Sequence, residues 1–259
     1  MGRGRLSRIL AVAANTFRET VRERVLYNLV FFALLMTLSG LLLAQLSIRQ
    51  DEKIIKDLGL AAMDLFGSMI ALFIGVSLVS KEIERRSLHP LLAKPLGRDE
   101  FFLGKFFGLA FTLLVNTSAM AAGLFLTLLA TGRSANLGLV GAIYAIFLGL
   151  LLVVALAMLL SSVTSPALAA IGTLGLVIVG RFSDVIRNMR EVVPGAPDWL
   201  VKILYYAIPN FRNFDFKEQA AYGDPIPLSA LGQVTLYAAF YVGLALAAGL
   251  ASFRSRDFE

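Results

Sequence analysis

The sequence has no cysteine and a single histidine among its 259 residues. Without cysteine the chain has no disulfide framework and no thiolate metal site. One histidine argues against a histidine-based zinc site or a Ser-His-Asp triad. The sequence also has no GxxxxGK[ST] phosphate loop, no HExxH and no GxSxG. We therefore expect no ATPase, metalloprotease or hydrolase activity from the chain itself.

Charged residues are scarce as well. They make up 16 % of the chain, hydrophobic residues make up 58 %, and the mean hydropathy is +0.76. These values lie outside the range of soluble globular domains. The net charge is +6, but the basic residues flank long apolar runs. The expected partner of this positive charge is therefore an anionic membrane surface, not nucleic acid.

The apolar runs predict an all-α membrane protein with six transmembrane helices. A helix of about 20 residues crosses ~30 Å of hydrocarbon, because it rises 1.5 Å per residue. Runs of this kind, or slightly shorter, cover residues 25–47, 58–80, 106–130, 137–161, 167–182 and 228–252. Residues 25–259 would then form one membrane domain.

Residues 1–24 differ from the rest, since six arginines alternate with apolar residues spaced three and four apart. This pattern predicts an amphipathic helix that lies on the membrane interface. A signal peptide has a similar outline. Its basic part is usually shorter, and no convincing small-residue cleavage site follows here, so we expect the segment to be retained.

The distribution of basic residues predicts the orientation. With both termini inside, the inner segments hold 14 Lys and Arg against 8 acids, whereas the outer side holds 10 of each. By the positive-inside rule both termini are expected to be cytoplasmic. Asp64 falls near the outer end of the second span. It is either a functional intramembrane carboxylate or a hydrated interfacial residue.

The main polar segment on the inner side is Ser80–Lys105, which holds six of the 24 Lys and Arg, four acids and two prolines. Ser87 is placed to cap a short helix that Pro95 would follow. One side of that helix carries Leu88, Leu91 and Leu92. Outside a membrane such leucines need a partner to cover them. The alternative is a solvated loop whose leucines rest on lipid headgroups.

Two further features concern helix packing and the outer side. Gly104 and Gly108 form a small-xxx-small step at the start of the third span, which lets another helix approach closely. Residues 183–227 hold five of the eight prolines and form the longest segment outside the membrane. Asp198 can cap a helix there. The aromatic residues of that helix suit a belt at the membrane interface: Trp199, Tyr205 and Tyr206.

The polar segment resembles the ABC-2-type permeases, the membrane subunits of ABC transporters. The shared pattern is Glu82-x-Glu84-x-x-Ser87-Leu88-x-x-Leu91-Leu92-x-x-Pro95-x-x-Arg98-x-x-Phe101-x-x-Gly104-Lys105. It departs from the family at Arg86, where glycine is usual, and at Ser87, where threonine is usual. The arginine-rich start, Tyr205-Tyr206-x-x-Pro209-Asn210 and the closing Arg254-x-Arg256-Asp257-Phe258 are also similar. The resemblance covers nearly the whole chain.

The resemblance implies the permease subunit of an ATP-driven exporter, working as a dimer in a bacterial or archaeal cytoplasmic membrane. Two separate P-loop ATPases would bind ATP and Mg²⁺, so this chain needs no cofactor. It also implies a cytoplasmic coupling helix between spans 2 and 3 that docks on the ATPase, with coupling residues Glu82, Glu84, Ser87, Leu88, Leu91, Leu92, Pro95 and Arg98. The helical segment between spans 5 and 6 would contribute an extracytoplasmic gate from Trp199, Tyr205, Tyr206 and Pro209.

Two other functions remain open at the level of the sequence. An ion-coupled secondary carrier would need an internal repeat and buried charges, and the span interiors hold almost no ionisable residues. A non-transporting membrane scaffold or assembly factor fits the sequence too. A neighbouring gene for a P-loop ATPase would favour the permease over both of these alternatives. No predicted span carries a row of polar residues that would identify the substrate class.

Overall fold

A computed structural model describes residues 2–22, 31–32, 35, 51–84, 97–183 and 208–255. These residues are largely helical, and none of them forms a strand. The α-helices among them are α1 Gly2–Arg22, α2 Asp51–Glu84, α3 Arg98–Ala130, α4 Leu137–Val163, α5 Pro166–Arg181, α6 Lys217–Tyr222 and α7 Leu228–Ser255. A 3₁₀ turn at Phe211–Phe214 precedes α6.

Among the described residues, four helices are long and apolar enough to cross a membrane, as the composition predicted. The stretches are Glu52–Ser77, Asp99–Ala130, Leu137–Val163 and Leu228–Phe253. They coincide with the predicted second, third, fourth and sixth spans. Helix α5 has 16 residues, which at 1.5 Å per residue is about 24 Å and short of ~30 Å of hydrocarbon. The predicted first span lies outside the described residues apart from 31, 32 and 35, so six spans stay a prediction.

Helix α4 lies at the centre of the bundle. Most of its side chains are buried, because α2, α5 and α7 all pack against it. Helix α2 approaches closely at Gly75, where an added Cβ would lie 2.7 Å from the Ala157 Cβ. One turn away, the Ser161 hydroxyl donates to the carbonyl oxygen of Val76 at 3.3 Å. The missing side chain of Gly75 therefore sets the distance between these two helices.

The helices alternate in direction, and the bundle therefore has two ends. At one of them α7 finishes beside α3 and α4. The Phe253 and Phe101 rings stack with centroids 6.5 Å apart, and the Ser252 hydroxyl donates to the carbonyl oxygen of Ser162 at 3.4 Å. Helix α1 also begins here, and this end is called the terminal end.

The opposite end, called the cap end, is covered by the cap segment, residues 208–227. The backbone N–H of Asn210 donates to the Tyr237 hydroxyl on α7 at 2.6 Å. The Asn136 side chain caps α4, and its amide donates to the carbonyl oxygen of Ala220 at 3.0 Å. These hydrogen bonds attach the cap segment to two helices of the bundle.

Candidate functional site

Three of the predicted ATPase-coupling residues are described, and they lie at the terminal end, on either side of the connection between α2 and α3. Glu82 and Glu84 are in the last turn of α2, and Arg98 is the first residue of α3. The remaining predicted coupling residues lie outside the described residues: Ser87, Leu88, Leu91, Leu92 and Pro95. Both ends of the connection therefore lie at one end of the bundle, and the roles of these eight residues stay predictions.

The first turn of helix α3 holds two acids, Asp99 and Glu100, and both contact arginines of α1. The Glu100 side chain is 7 % exposed, and it accepts a hydrogen bond from the N–H of Gly97 at 3.4 Å. Arg8 Nε lies 3.4 Å from Glu100 Oε2, and Arg5 Nε lies 3.6 Å from Oε1. Arg5 Nη2 is also 3.5 Å from Asp99 Oδ2. Acids in a first turn suit the helix dipole, but the pairing with α1 had no signal in the sequence.

Gly104 and Gly108 face α1. A Cβ added at Gly104 would lie 2.6 Å from the Val12 Cβ, and one at Gly108 would lie 2.6 Å from the Thr16 Cβ. Two glycines one turn apart form a groove that admits a second helix. The sequence indicated that some helix approaches these glycines, and the structure places α1 there.

Helix α1 runs parallel to α3. Its first ion pair joins Arg5 to Asp99, and further along Phe17 packs edge-to-face on Phe111 with ring centroids 4.8 Å apart. The same number of residues separates the two contacts on both helices, so the helices keep one register. One side of α1, with Val12, Thr16 and Phe17, therefore packs on α3, whereas Leu6 and Leu10 are exposed. Its role as an interfacial helix stays a prediction.

A second polar cluster, called the Asp64 cluster, lies at the cap end. Asp64 of α2 accepts two hydrogen bonds from Arg181 of α5, from Nη1 to Oδ2 and from Nη2 to Oδ1, both at 2.8 Å. Lys217 Nζ donates to Asp64 Oδ2 at 2.8 Å and lies 3.3 Å from Asp215 Oδ1. Arg181 also donates to the Ser68 hydroxyl at 3.2 Å. With 15 % of its side chain exposed, Asp64 joins two helices and the cap segment.

The Asp64 cluster lines a cavity of about 310 Å³. Its size is at the lower end of the range of roughly 300–1,000 Å³ that is typical of ligand pockets. Apart from the cluster, the lining consists of Arg212 and a largely apolar set from α4, the residue after α5 and the cap segment: Ile146, Gly149, Val153, Phe182, Phe211 and Phe214. The cavity thus combines a charged part with an apolar part.

Of the predicted gate residues, Trp199, Tyr205 and Tyr206 lie outside the described residues. Pro209 is described and buried. Its carbonyl oxygen lies so close to Gly180 that a Cβ at this glycine would clash with it. The contact holds the start of the cap segment against the end of α5. Whether Pro209 acts in a gate stays a prediction.

Comparison with known families agrees with this arrangement. A family model described as ABC-2 family transporter protein matches residues 10–187, which is more than half of the 259-residue chain. The matched region begins within α1 and includes α2 to α5 together with the connection between α2 and α3. No curated protein sequence matches the chain. The family match confirms the resemblance found in the sequence, and the chain belongs to the ABC-2 family of transporter proteins.

Proposed function

We propose that the chain is the permease subunit of an ATP-driven exporter, that it forms the translocation pathway as a dimer, and that two separate ATPases drive it. The observation that carries the proposal is the family match over residues 10–187. Four helices able to cross a membrane, within the described residues, support it. Because the sequence has no phosphate-binding loop, the energy of ATP hydrolysis has to come from a partner.

The connection between α2 and α3 is the proposed docking site for the ATPase. Burial of two of the three leucines Leu88, Leu91 and Leu92 would contribute about 3–6 kcal/mol before the cost of ordering the segment. Glu82 and Glu84 are proposed to pair with arginines of the connection or of the partner and to hold the short helix at its angle. Charge reversal at Glu82 that leaves ATPase stimulation intact would argue against this pairing.

Two uninterrupted helices lead away from the proposed docking site, α2 with 34 residues and α3 with 33. Helix α2 packs closely on α4 at Gly75, and α3 packs closely on α1 at Gly104 and Gly108. Because close-packed helices move as rigid bodies, a push on the connection would displace α1 and α4 as well. The spans would then rock about the dimer interface, and the gate would respond at the cap end.

Co-purification with the ATPase encoded beside this chain tests the proposal. Wild type is expected to retain the ATPase in stoichiometric amounts through affinity purification in detergent. Leu91→Asp is expected to lose it, because an aspartate in an apolar contact has to be desolvated. The matched control is Leu137→Asp, since Leu137 is 90 % exposed at the cap end and an acid is tolerated in a first helical turn.

Each outcome has a distinct meaning. Loss of the ATPase from Leu91→Asp, with retention by Leu137→Asp, would support the permease and the docking site together. Retention of the ATPase by both variants would mean that its docking surface does not include the three leucines. Failure of wild type to bind the ATPase would contradict the permease proposal and favour a membrane scaffold or assembly factor.

A further inference from the structure

The cavity beside Asp64 lies halfway along two of the helices that form it. Asp64 is at the middle of the membrane-length stretch Glu52–Ser77, which has 26 residues. Gly149, which also lines the cavity, is at the middle of Leu137–Val163, which has 27. At 1.5 Å per residue, each lies about 18 Å from the first residue of its stretch. Since ~30 Å of hydrocarbon has its midplane about 15 Å from either surface, a membrane that these stretches cross has the cavity close to its midplane.

The cap segment reaches down to this level. Its Lys217 donates to Asp64 at 2.8 Å, and its Phe214 ring would lie 3.5 Å from a Cβ at Gly149. Residues 208–216, which lead to Lys217, contain a 3₁₀ turn and no α-helix. Non-helical backbone at membrane depth is stable only where it is buried in protein or lines a water-filled space. The position of the cap segment therefore raises the question of what its exposed side contacts.

Polar side chains at this level are exposed. The Asp215 side chain is 46 % exposed and that of Arg181 is 38 % exposed, and Asn213 is exposed as well. Charged and amide groups are costly to hold against hydrocarbon, so water has to cover them. The charges of the Asp64 cluster balance one another and call for no counter-ion. The cavity volume of about 310 Å³ is far above the roughly 10–15 Å³ that one water needs.

The next stripe of α2 has the opposite character. Leu65, Met69 and Phe73 follow one another at one-turn spacing and are 51 to 64 % exposed. Residues four apart lie on one face of a helix, and an exposed face of this composition suits hydrocarbon. Ser68 lines the cavity and directly precedes Met69. The boundary between water and lipid would therefore pass between two consecutive residues of α2.

We propose that this cavity is a water-filled vestibule, open at the cap end, that admits small hydrated ions and polar solutes to the middle of the bundle. The balanced charges of the Asp64 cluster let ions of either sign enter. The vestibule requires only that the bundle crosses a membrane. It goes beyond the proposed transport function and does not depend on an ATPase partner.

Labelling of single cysteines with charged, membrane-impermeant methanethiosulfonates tests the vestibule. The chain has no cysteine of its own, so Ser68→Cys and Met69→Cys each carry one thiol. The reagent attacks the thiolate, which forms in water and not in hydrocarbon. Ser68→Cys should therefore react at least about tenfold faster than Met69→Cys, although Met69 is the more exposed residue. Both should react equally after unfolding in SDS, and Asn213→Cys replaces Ser68→Cys if that variant does not fold.

The side of access is measured in intact cells and in inverted membrane vesicles, which present opposite sides to the reagent. Ala135→Cys, exposed in the turn between α3 and α4, reports the cap end. Gly4→Cys reports the terminal end, because Gly4 is exposed and has open space around it. Ser68→Cys should react in the preparation in which Ala135→Cys reacts, and not in the one in which only Gly4→Cys does.

Reagents of opposite charge connect the access to the Asp64 cluster. With the charges balanced, Ser68→Cys should react with a cationic and an anionic reagent at similar rates. Lys217→Gln should favour the cationic reagent about tenfold, and Asp64→Asn should favour the anionic one by a similar factor, because each leaves one charge uncompensated within a few ångströms. Asp215→Asn should act like Asp64→Asn and is available if the latter does not fold. Arg133→Gln, outside the lining, is the matched control for loss of a positive charge.

Three results would overturn the proposal. The first is reaction of Ser68→Cys and Asn213→Cys as slow as that of Met69→Cys, which would mean that protein or lipid fills the cavity. The second is access from the side that Gly4→Cys reports. The third is a reagent preference that shifts in the same direction in Lys217→Gln and in the folded acid variant. None of these results bears on co-purification of the ATPase.

Discussion

The two ends of the bundle hold their peripheral segments with the same kinds of residue in different geometry. At the terminal end, Arg5 and Arg8 approach Glu100 at 3.4 to 3.6 Å, and the Arg5 side chain is 59 % exposed. At the cap end, Asp64 forms hydrogen bonds of 2.8 Å to Arg181 and Lys217, and these two cations are 38 % and 16 % exposed. Distance and exposure therefore distinguish two sets of ion pairs that look alike in the sequence.

This difference bears directly on stability. Solvent-exposed ion pairs contribute about 0–1 kcal/mol, because water and salt screen them. Removing one partner from a buried pair costs about 3–5 kcal/mol, because the remaining charge stays desolvated. The cap segment is therefore fixed to the bundle, whereas α1 is held mainly by close packing at Gly104 and Gly108. Such an arrangement suits a protein that takes up force at the terminal end, as proposed.

The largest effect is expected at Asp64. Asp64→Ala leaves Arg181 and Lys217 without their shared carboxylate, and it should lower the free energy of unfolding by about 3 kcal/mol. Asp215→Ala is the matched control, because Asp215 also contacts Lys217 but is 46 % exposed. It should cost less than about 1 kcal/mol. Thermal or denaturant unfolding of both variants in the same detergent measures the difference, and equal losses would remove the distinction between the two ends.

An intermediate effect is expected at Gly108. Its replacement by alanine puts a methyl group 2.6 Å from the Thr16 Cβ and 2.7 Å from the carbonyl oxygen of Ala13. Overpacking of this kind costs about 1–3 kcal/mol. The other helices pack on α4 and do not depend on α1. The cost of overpacking should therefore appear as local release of α1, which hydrogen exchange of the α1 amides measures.

Gly123→Ala is the control for Gly108→Ala on the same helix. A Cβ at Gly123 would lie 3.6 Å from the Phe32 ring, which is ordinary contact. The alanine also has the higher helix propensity, by about 1 kcal/mol. Exchange of the α1 amides should therefore remain as in wild type. Unchanged exchange in Gly108→Ala as well would mean that α1 is not held by the glycine groove.

Much of the fold was predictable because the length and apolarity of a run are local properties. The runs that became α2, α3, α4 and α7 needed only a count of residues against the thickness of a bilayer. The glycines at 104 and 108 were also visible as a pattern. Their partner was not, because the apolar stripe of α1 fits lipid and protein equally well. Only the tertiary structure shows that Phe17 of this stripe packs on α3 while Leu6 and Leu10 are exposed.

The Asp64 cluster had no such local signal. Asp64 and Lys217 are separated by 153 positions, and no spacing rule connects residues so far apart. Asp64 had two interpretations because an acid near the end of a span is found both as a functional intramembrane carboxylate and as a hydrated interfacial residue. The contact of Pro209 with Gly180 also joins residues that no local pattern connects. The coupling residues from Ser87 to Pro95 were inferred from a motif, and their roles await the co-purification experiment.

The smallest effect is expected at Arg5. Arg5→Gln removes two long ion pairs, with Asp99 at 3.5 Å and with Glu100 at 3.6 Å, and it should loosen α1 by about 0.2–1 kcal/mol. Glu100 keeps Arg8 and the N–H of Gly97 as partners, so its charge is not left unpaired. Hydrogen exchange of the α1 amides should rise slightly at low salt. The change should shrink at high salt, because salt screens exposed charges.

Arg18→Gln is the control for Arg5→Gln. Arg18 is exposed on α1, and the described residues offer it no ion pair. Both variants lose one positive charge from the same helix, so any general effect of charge cancels in their comparison. If Arg5→Gln lost as much stabilisation free energy as Asp64→Ala, the ion pairs at the terminal end would hold α1 as firmly as those at the cap end hold the cap segment. In that case the ion pairs would hold α1 on α3 in addition to the close packing at Gly104 and Gly108.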